Sequence, residues 1–100
     1  MQKASMPDAC AMCERAVTLS FHHLIPRRVH RKTWFRTHHS LDEMRSRGLW
    51  LCRLCHNAVH EHFDETTLGR QLNTLEAFKA EPLLQRHIEW AARQRHHREW

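Results

Sequence analysis

The sequence predicts a small α+β domain in which two short strands and a helix are stapled by a metal knuckle and followed by additional helices. Three observations predict it. The four cysteines fall in two Cys-x-x-Cys pairs, Cys10/Cys13 and Cys52/Cys55, the spacing of a structural zinc site. The apolar, β-type run Val17-Thr-Leu-Ser-Phe21 leads into a histidine doublet, His22 and His23. After Cys55, apolar residues recur at helical spacing towards the C-terminus.

The elements follow in chain order. Residues 1–7 read as a flexible tail ending at Pro7. Asp8 to Arg15 is predicted to form the first knuckle, with tight turns aiming backbone amides at sulfur. Val17–His22 reads as a strand. Leu24 to Ser40 reads as a loop carrying Pro26, the run Arg27-Arg28-Val-His30-Arg31-Lys32 and then Trp34-Phe35-Arg36. Ser40 is placed to cap a short helix over Asp42–Arg47, because Glu43 follows in capping-box spacing, and Gly48 ends it. Leu49-Trp50-Leu51 suits the second strand of a hairpin. A helix is expected from Leu54 to Phe63, and Asp64 caps another short piece. Asn73 with Glu76 makes a second capping box, while Leu68, Leu72, Leu75 and Phe78 keep helical spacing. Pro82 suits a helix start, and Leu84, Ile88, Ala91 and Arg95 mark one face of a last helix. Trp34, Phe35 and Trp90 are assigned to the core. The whole reads as one domain over residues 8–95, with a zinc-stapled part at 8–63, a helical extension at 64–95 and a tail at 96–100.

A chain of 100 residues buries a modest core, so a structural metal contributes a real share of its stability. The net charge is +5, with eleven histidines besides. That balance favours a polyanionic partner, nucleic acid ahead of an acidic membrane surface. No apolar run approaches the length of a membrane span and no signal-peptide core opens the chain, so the expected location is cytoplasmic. In that reducing setting paired cysteines read as thiolates on a metal rather than as disulfides.

Four thiolates at Cys10, Cys13, Cys52 and Cys55 complete a tetrahedral shell and leave no position for a substrate, so this site is expected to be structural. A Cys2His2 finger is disfavoured, because only eight residues separate Cys13 from His22. The histidines carry the chemistry. His56 and His60 stand at i and i+4, on one helix face, and can grip one ion. Adjacent strand residues point to opposite faces, so only one of His22 and His23 can share that ion. The other is left to act as a base. Cleaving a phosphodiester needs both parts, a Lewis acid for the phosphoryl charge and a base for the attacking water.

Two stretches, Ser20-Phe-His22-His23-Leu-Ile-Pro26 and Leu51-Cys-Arg-Leu-Cys55-His56-Asn-Ala-Val-His60, resemble the HNH (ββα-metal) endonuclease family. The closer similarity is to its small zinc-stapled bacterial subgroup, over about Cys10 to Trp90. The resemblance implies a ββα-metal fold with His22 as first ligand of a catalytic divalent cation (Mn²⁺, Ni²⁺, Co²⁺ or Mg²⁺). It makes His56 and His60 the second and third ligands and His23 the general base. A structural Zn²⁺ would sit on the four cysteines. It implies a DNA endonuclease that nicks double-stranded DNA as a monomer, leaving 5′-phosphate and 3′-hydroxyl ends. The family's middle asparagine would fall at Arg47, a departure, so bracing of the loop between the strands must come from elsewhere. Asn57 and Asn73 do not stand at that position.

Arg27, Arg28, Arg31, Lys32 and Arg36 are expected to meet the DNA backbone, since neutralising successive phosphates takes several such charges. His30, His38, His39, His62, His87, His96 and His97 are read as surface or packing residues. The rival reading is a non-catalytic zinc-ribbon module that binds nucleic acid. A third is a small adaptor whose histidines store metal. Neither needs a base beside the ligands.

Overall fold

Alternating apolar side chains at Leu19, Phe21, Leu49 and Leu51 set up a two-stranded sheet. In the computed structural model, which describes residues 6–95, strand β1 spans Leu19–His23 and β2 spans Gly48–Cys52. They pair antiparallel, with Leu19 opposite Cys52, His22 opposite Leu49 and His23 opposite Gly48. β1 thus lies two residues later at its start than predicted and takes in both histidines. Gly48 belongs to β2, and Arg47 is the residue that closes the preceding helix. Only glycine fits there. A Cβ at Gly48 would lie 2.2 Å from the Phe21 ring and 2.6 Å from the His22 carbonyl oxygen.

The strands are not joined by a tight hairpin. A 3₁₀ turn at Arg27–Val29 and two helices, α1 (Thr33–His38) and α2 (Leu41–Ser46), occupy the connection. The 3₁₀ turn and α1 correct the loop expected over Leu24–Ser40, while α2 is the short helix expected after Ser40. The cause is burial: Ile25, Val29, Phe35 and Met44 form a small cluster of their own, with Trp34 packed against it. Helices this short depend on such packing more than on propensity, and Lys32 gives α1 no side-chain cap. Ser40 does cap α2, its Oγ accepting from the Glu43 amide at 3.0 Å. The Glu43 carboxylate does not close the box. It turns to His39 and Arg47, at 3.1 Å from each.

Helix α3 (Arg53–His62) follows β2 directly, because Cys52 both ends the strand and caps the helix, its Sγ accepting from the Cys55 amide at 3.5 Å. Asp64 caps α4 (Glu65–Gln71), as its spacing predicts, by accepting from the Thr67 amide at 2.7 Å. Thr74, not Asn73, caps α5 (Leu75–Ala80). The Asn73 side chain is engaged elsewhere and donates to the Gly69 carbonyl at 2.8 Å. Helix α6 (Pro82–Ala92) begins on Pro82, with the Glu81 carboxylate as its cap. The main core joins Leu19, Leu51, Val59, Leu68, Phe78, Leu84 and Ala91 around the cysteines, with α3 and α5 packed on α6. Trp90 is a correction. It is 46 % exposed, lying off the Leu84–Ala91 face and against the His87 ring.

The predicted tails fall largely outside the described residues, as do His96 and His97. Among the described residues no helix is long and apolar enough to cross a membrane.

Candidate metal centres

The first centre arises where the N-terminal turns meet the β2–α3 junction. Cys10 accepts the Glu14 amide through its carbonyl, and its own amide donates to the Arg15 carbonyl. Glu14 takes the left-handed conformation (φ 65°) that closes this knuckle. The four cysteines are buried and unbridged, and their sulfurs lie within 4.8 Å of one another. Cys13 and Cys52 Sγ are 3.7 Å apart. A tetrahedral metal with bonds of about 2.3 Å to sulfur holds its thiolates about 3.8 Å apart. The cluster therefore fits a structural metal ion such as zinc.

Electrostatics point the same way. Hydrogen bonds with Cys10, then Cys52 and Cys55, hold the Cys13 thiol far below its usual range. The same proximity to Cys10 and Cys13 pushes Cys52 and Cys55 above it. Four thiols this close cannot all ionise without a cation among them. Arg15 supplies part of the compensation. Its side chain is buried and donates to Cys13 Sγ at 3.4 Å and Cys52 Sγ at 3.1 Å. A buried guanidinium needs anionic partners, and thiolates provide them.

The second centre lies between β1 and α3. His22, His56 and His60 each offer a ring nitrogen within 4.8 Å of the others, and their ring centroids stand 5.2–5.3 Å apart. His22 is buried, His56 half-buried and His60 exposed, so the group opens to solvent on one side. Burial, aided by His56, His60 and His23, pushes His22 down to about 3, and burial also lowers His56. Both imidazoles are thus neutral near pH 7, the form that ligates metal. The His22 Nε2 atom is buried with no hydrogen-bond partner among the described residues. An orphan of that kind costs about 1–3 kcal/mol, and a cation held with His56 and His60 would satisfy it. The donor set fits the divalent cation inferred from the sequence.

His23 is not among the three. It follows His22 along the strand and packs edge-on to the Phe21 ring at 5.0 Å. It lines, with Arg27 and Glu65, the same 210 Å³ hollow that His22, His56 and His60 line. His23 and Arg27 also line a second, larger cleft, where Arg28, Arg31 and Arg36 join them. Lys32 does not reach it and donates instead to Thr66 Oγ1 at 3.2 Å. Arg28 leans towards Glu65, 3.5 Å away.

Arg47 provides a brace between the strands by a different route. Its carbonyl accepts the Leu24 amide at 3.1 Å, and its guanidinium donates to the Asn73 carbonyl at 2.5 Å and to Glu43 at 3.1 Å. Asn73 does not occupy the expected asparagine position, but it anchors the side chain that does. Sequence reasoning also missed Arg15 and Ser20. The Ser20 hydroxyl lies 2.7 Å from His56 Nδ1. With the proton on Nδ1, His56 donates to Ser20 and keeps the Nε2 lone pair for a cation. Partners behind a ligand typically contribute about 10–100-fold in metal affinity. Ser20→Ala is therefore expected to weaken Mn²⁺ binding by that factor with the fold intact, read by calorimetric titration and circular dichroism. Unchanged affinity would remove Ser20 from the centre.

Comparison with protein-family models, with curated proteins and with solved structures finds no match for this chain.

Proposed function

We propose that this chain is an endonuclease of the HNH (ββα-metal) type that hydrolyses DNA phosphodiester bonds. One observation carries the reading: three imidazoles converge between β1 and α3 while a fourth, His23, lines both their hollow and an arginine-lined cleft. A metal store would need the triad alone, and a zinc-ribbon binding module would need neither.

His22, His56 and His60 would hold the divalent cation, which when bound supplies Lewis-acid stabilisation of charge at the phosphoryl oxygens. The chain's own groups do the rest. His23 accepts a proton from a water aligned with phosphorus, the attacking oxygen forms its bond as the P–O3′ bond breaks, and a proton returns to the 3′-oxygen. The ends left are a 5′-phosphate and a 3′-hydroxyl. Arg27, on the wall shared by both cavities, holds the phosphate against His23. Ser20 keeps the His56 ring turned to the centre. With one such centre among the described residues, a monomer nicks one strand per event.

The test is nicking of supercoiled plasmid by the purified protein with each cation in turn. An all-imidazole site is softer than the carboxylate and water shell that Mg²⁺ prefers. Mn²⁺, Co²⁺ or Ni²⁺ are therefore expected to support cleavage at least as well as Mg²⁺. Activity with Mg²⁺ alone would contradict the ligand set. Absence of cleavage with every cation would leave the non-catalytic binding module as the reading.

A further inference from the structure

An 1130 Å³ cleft opens between the 3₁₀ turn, α1 and α2. Small-molecule sites usually measure about 300–1,000 Å³ and are mostly apolar, with few charges. This one is crowded with charge. Arg27, Arg28, Arg31, Arg36 and Arg45 line it, and no carboxylate does. Arg45 on α2 is a residue that the sequence did not single out. Five guanidiniums on one concave wall repel one another, and such a field concentrates a polyanion.

The backbone of the wall is packed on a core of its own. The segments that carry the arginines close over Ile25, Val29, Phe35 and Met44, each at most 1 % exposed. His30, buried beside them, donates from Nε2 to the Ile25 carbonyl and pins the turn. The packed backbone fixes where each arginine is rooted, while the guanidiniums themselves are exposed to a ligand. A single phosphate would engage one or two of them. Five, spread over three elements, match a ligand that carries phosphates in series.

The two cavities share His23 and Arg27, while Arg36 and Arg45 line only the larger one. A cleft of 1130 Å³ has room for a short run of one strand and not for a duplex, so what enters it is one strand. We infer that the cleft seats a single polynucleotide strand running away from the phosphate at His23, with Arg36 and Arg45 gripping phosphates beyond it. This rests on the nuclease reading for its orientation, but binding is measured without cleavage. The cleft reads backbone phosphates, a chemistry shared by DNA and RNA.

The experiment is fluorescence anisotropy of a labelled single-stranded oligodeoxynucleotide, its RNA counterpart and its duplex, across a salt series with no added divalent cation. The parent is compared with Arg36→Gln/Arg45→Gln and with a control of equal charge change, Lys79→Gln/Arg86→Gln, whose residues are exposed on α5 and α6. Each lost single-strand phosphate contact flattens the slope of log affinity against log salt by about 0.7. The cleft variant is expected to lose about 1.4 units of slope on single strands while the control keeps the parent's. Equal weakening on DNA and RNA assigns the cleft to the shared backbone, and a preference for one names the polymer it serves. In the nicking assay the cleft variant should raise KM and leave kcat unchanged.

Equal slopes in variant and control overturn the inference, as does a parent that binds no polynucleotide or binds the duplex alone. The two readings fail separately. A cleft that behaves as expected in a protein that fails to cleave whichever cation is added sinks the nuclease, and cleavage with an unchanged slope sinks the cleft.

Discussion

Cys52→Ser is expected to unfold the domain. Cys52 is buried, ends β2, caps α3 and contributes one of the four clustered sulfurs. Its loss removes a metal ligand, the cap of the central helix and an anionic partner of the buried Arg15 at once. Structural zinc contributes about 10–16 kcal/mol in finger peptides near neutral pH. A whole domain is stable by only about 5–15 kcal/mol. Breaking the shell therefore removes most of what holds this core, which is joined by the N-terminal knuckle at one side and α6 at the other. The measurements are zinc content after mild chelation and the thermal transition by circular dichroism. About one zinc per chain is expected in the parent, and loss of both metal and cooperative melting in the variant. A parent that melts cooperatively with no zinc would overturn the structural role of the cluster.

What the sequence revealed of these centres, and what it did not, divides along the range of the interaction. The Cys-x-x-Cys pairs and the i, i+4 histidines are local patterns whose spacing alone brings donor atoms together. The α2, α4 and α6 starts were legible for the same reason, since Ser40, Asp64 and Pro82 act on amides or dihedrals within their own first turn. Helix α1 was not legible. It is six residues long, lacks a side-chain cap and sits in a basic run that reads as solvated. It forms because Phe35 meets Ile25, Val29 and Met44, an assembly across some twenty residues of chain.

The same logic explains the misplaced cap at α5. Asn73 and Thr74 both suit the position, and what decides between them is that the Asn73 side chain is taken, its Oδ1 accepting from Arg47 and its Nδ2 donating to the Gly69 carbonyl. Arg47 shows the limit most clearly. In sequence it is a departure from a motif, whereas in space its reach to Asn73 ties the β1 end to the α4–α5 link. Ser20 behind His56, Arg15 behind the thiolates and Arg45 in the cleft are likewise defined by partners distant in sequence.

The sharpest test of the proposed chemistry separates the two halves of the histidine doublet. His23 lies outside the triad and His56 within it, so their alanine variants should fail in different ways. His23→Ala is expected to keep the affinity for Mn²⁺ and for DNA and to lose turnover by about 10²–10⁴-fold, the usual contribution of a general base. His56→Ala should lose cation binding and activity together, because it removes a ligand and frees Ser20 Oγ from its partner at 2.7 Å. Both side chains are part-exposed, so neither truncation opens a large cavity in the core, and both variants should fold around the intact cysteine cluster. Nicking rate, Mn²⁺ titration and zinc content, measured on parent and variants in one buffer, decide the matter. A His23→Ala protein that cleaves like the parent would assign the base to another group. One that loses the cation as His56→Ala does would make His23 a ligand, and the division of labour within the doublet would be wrong.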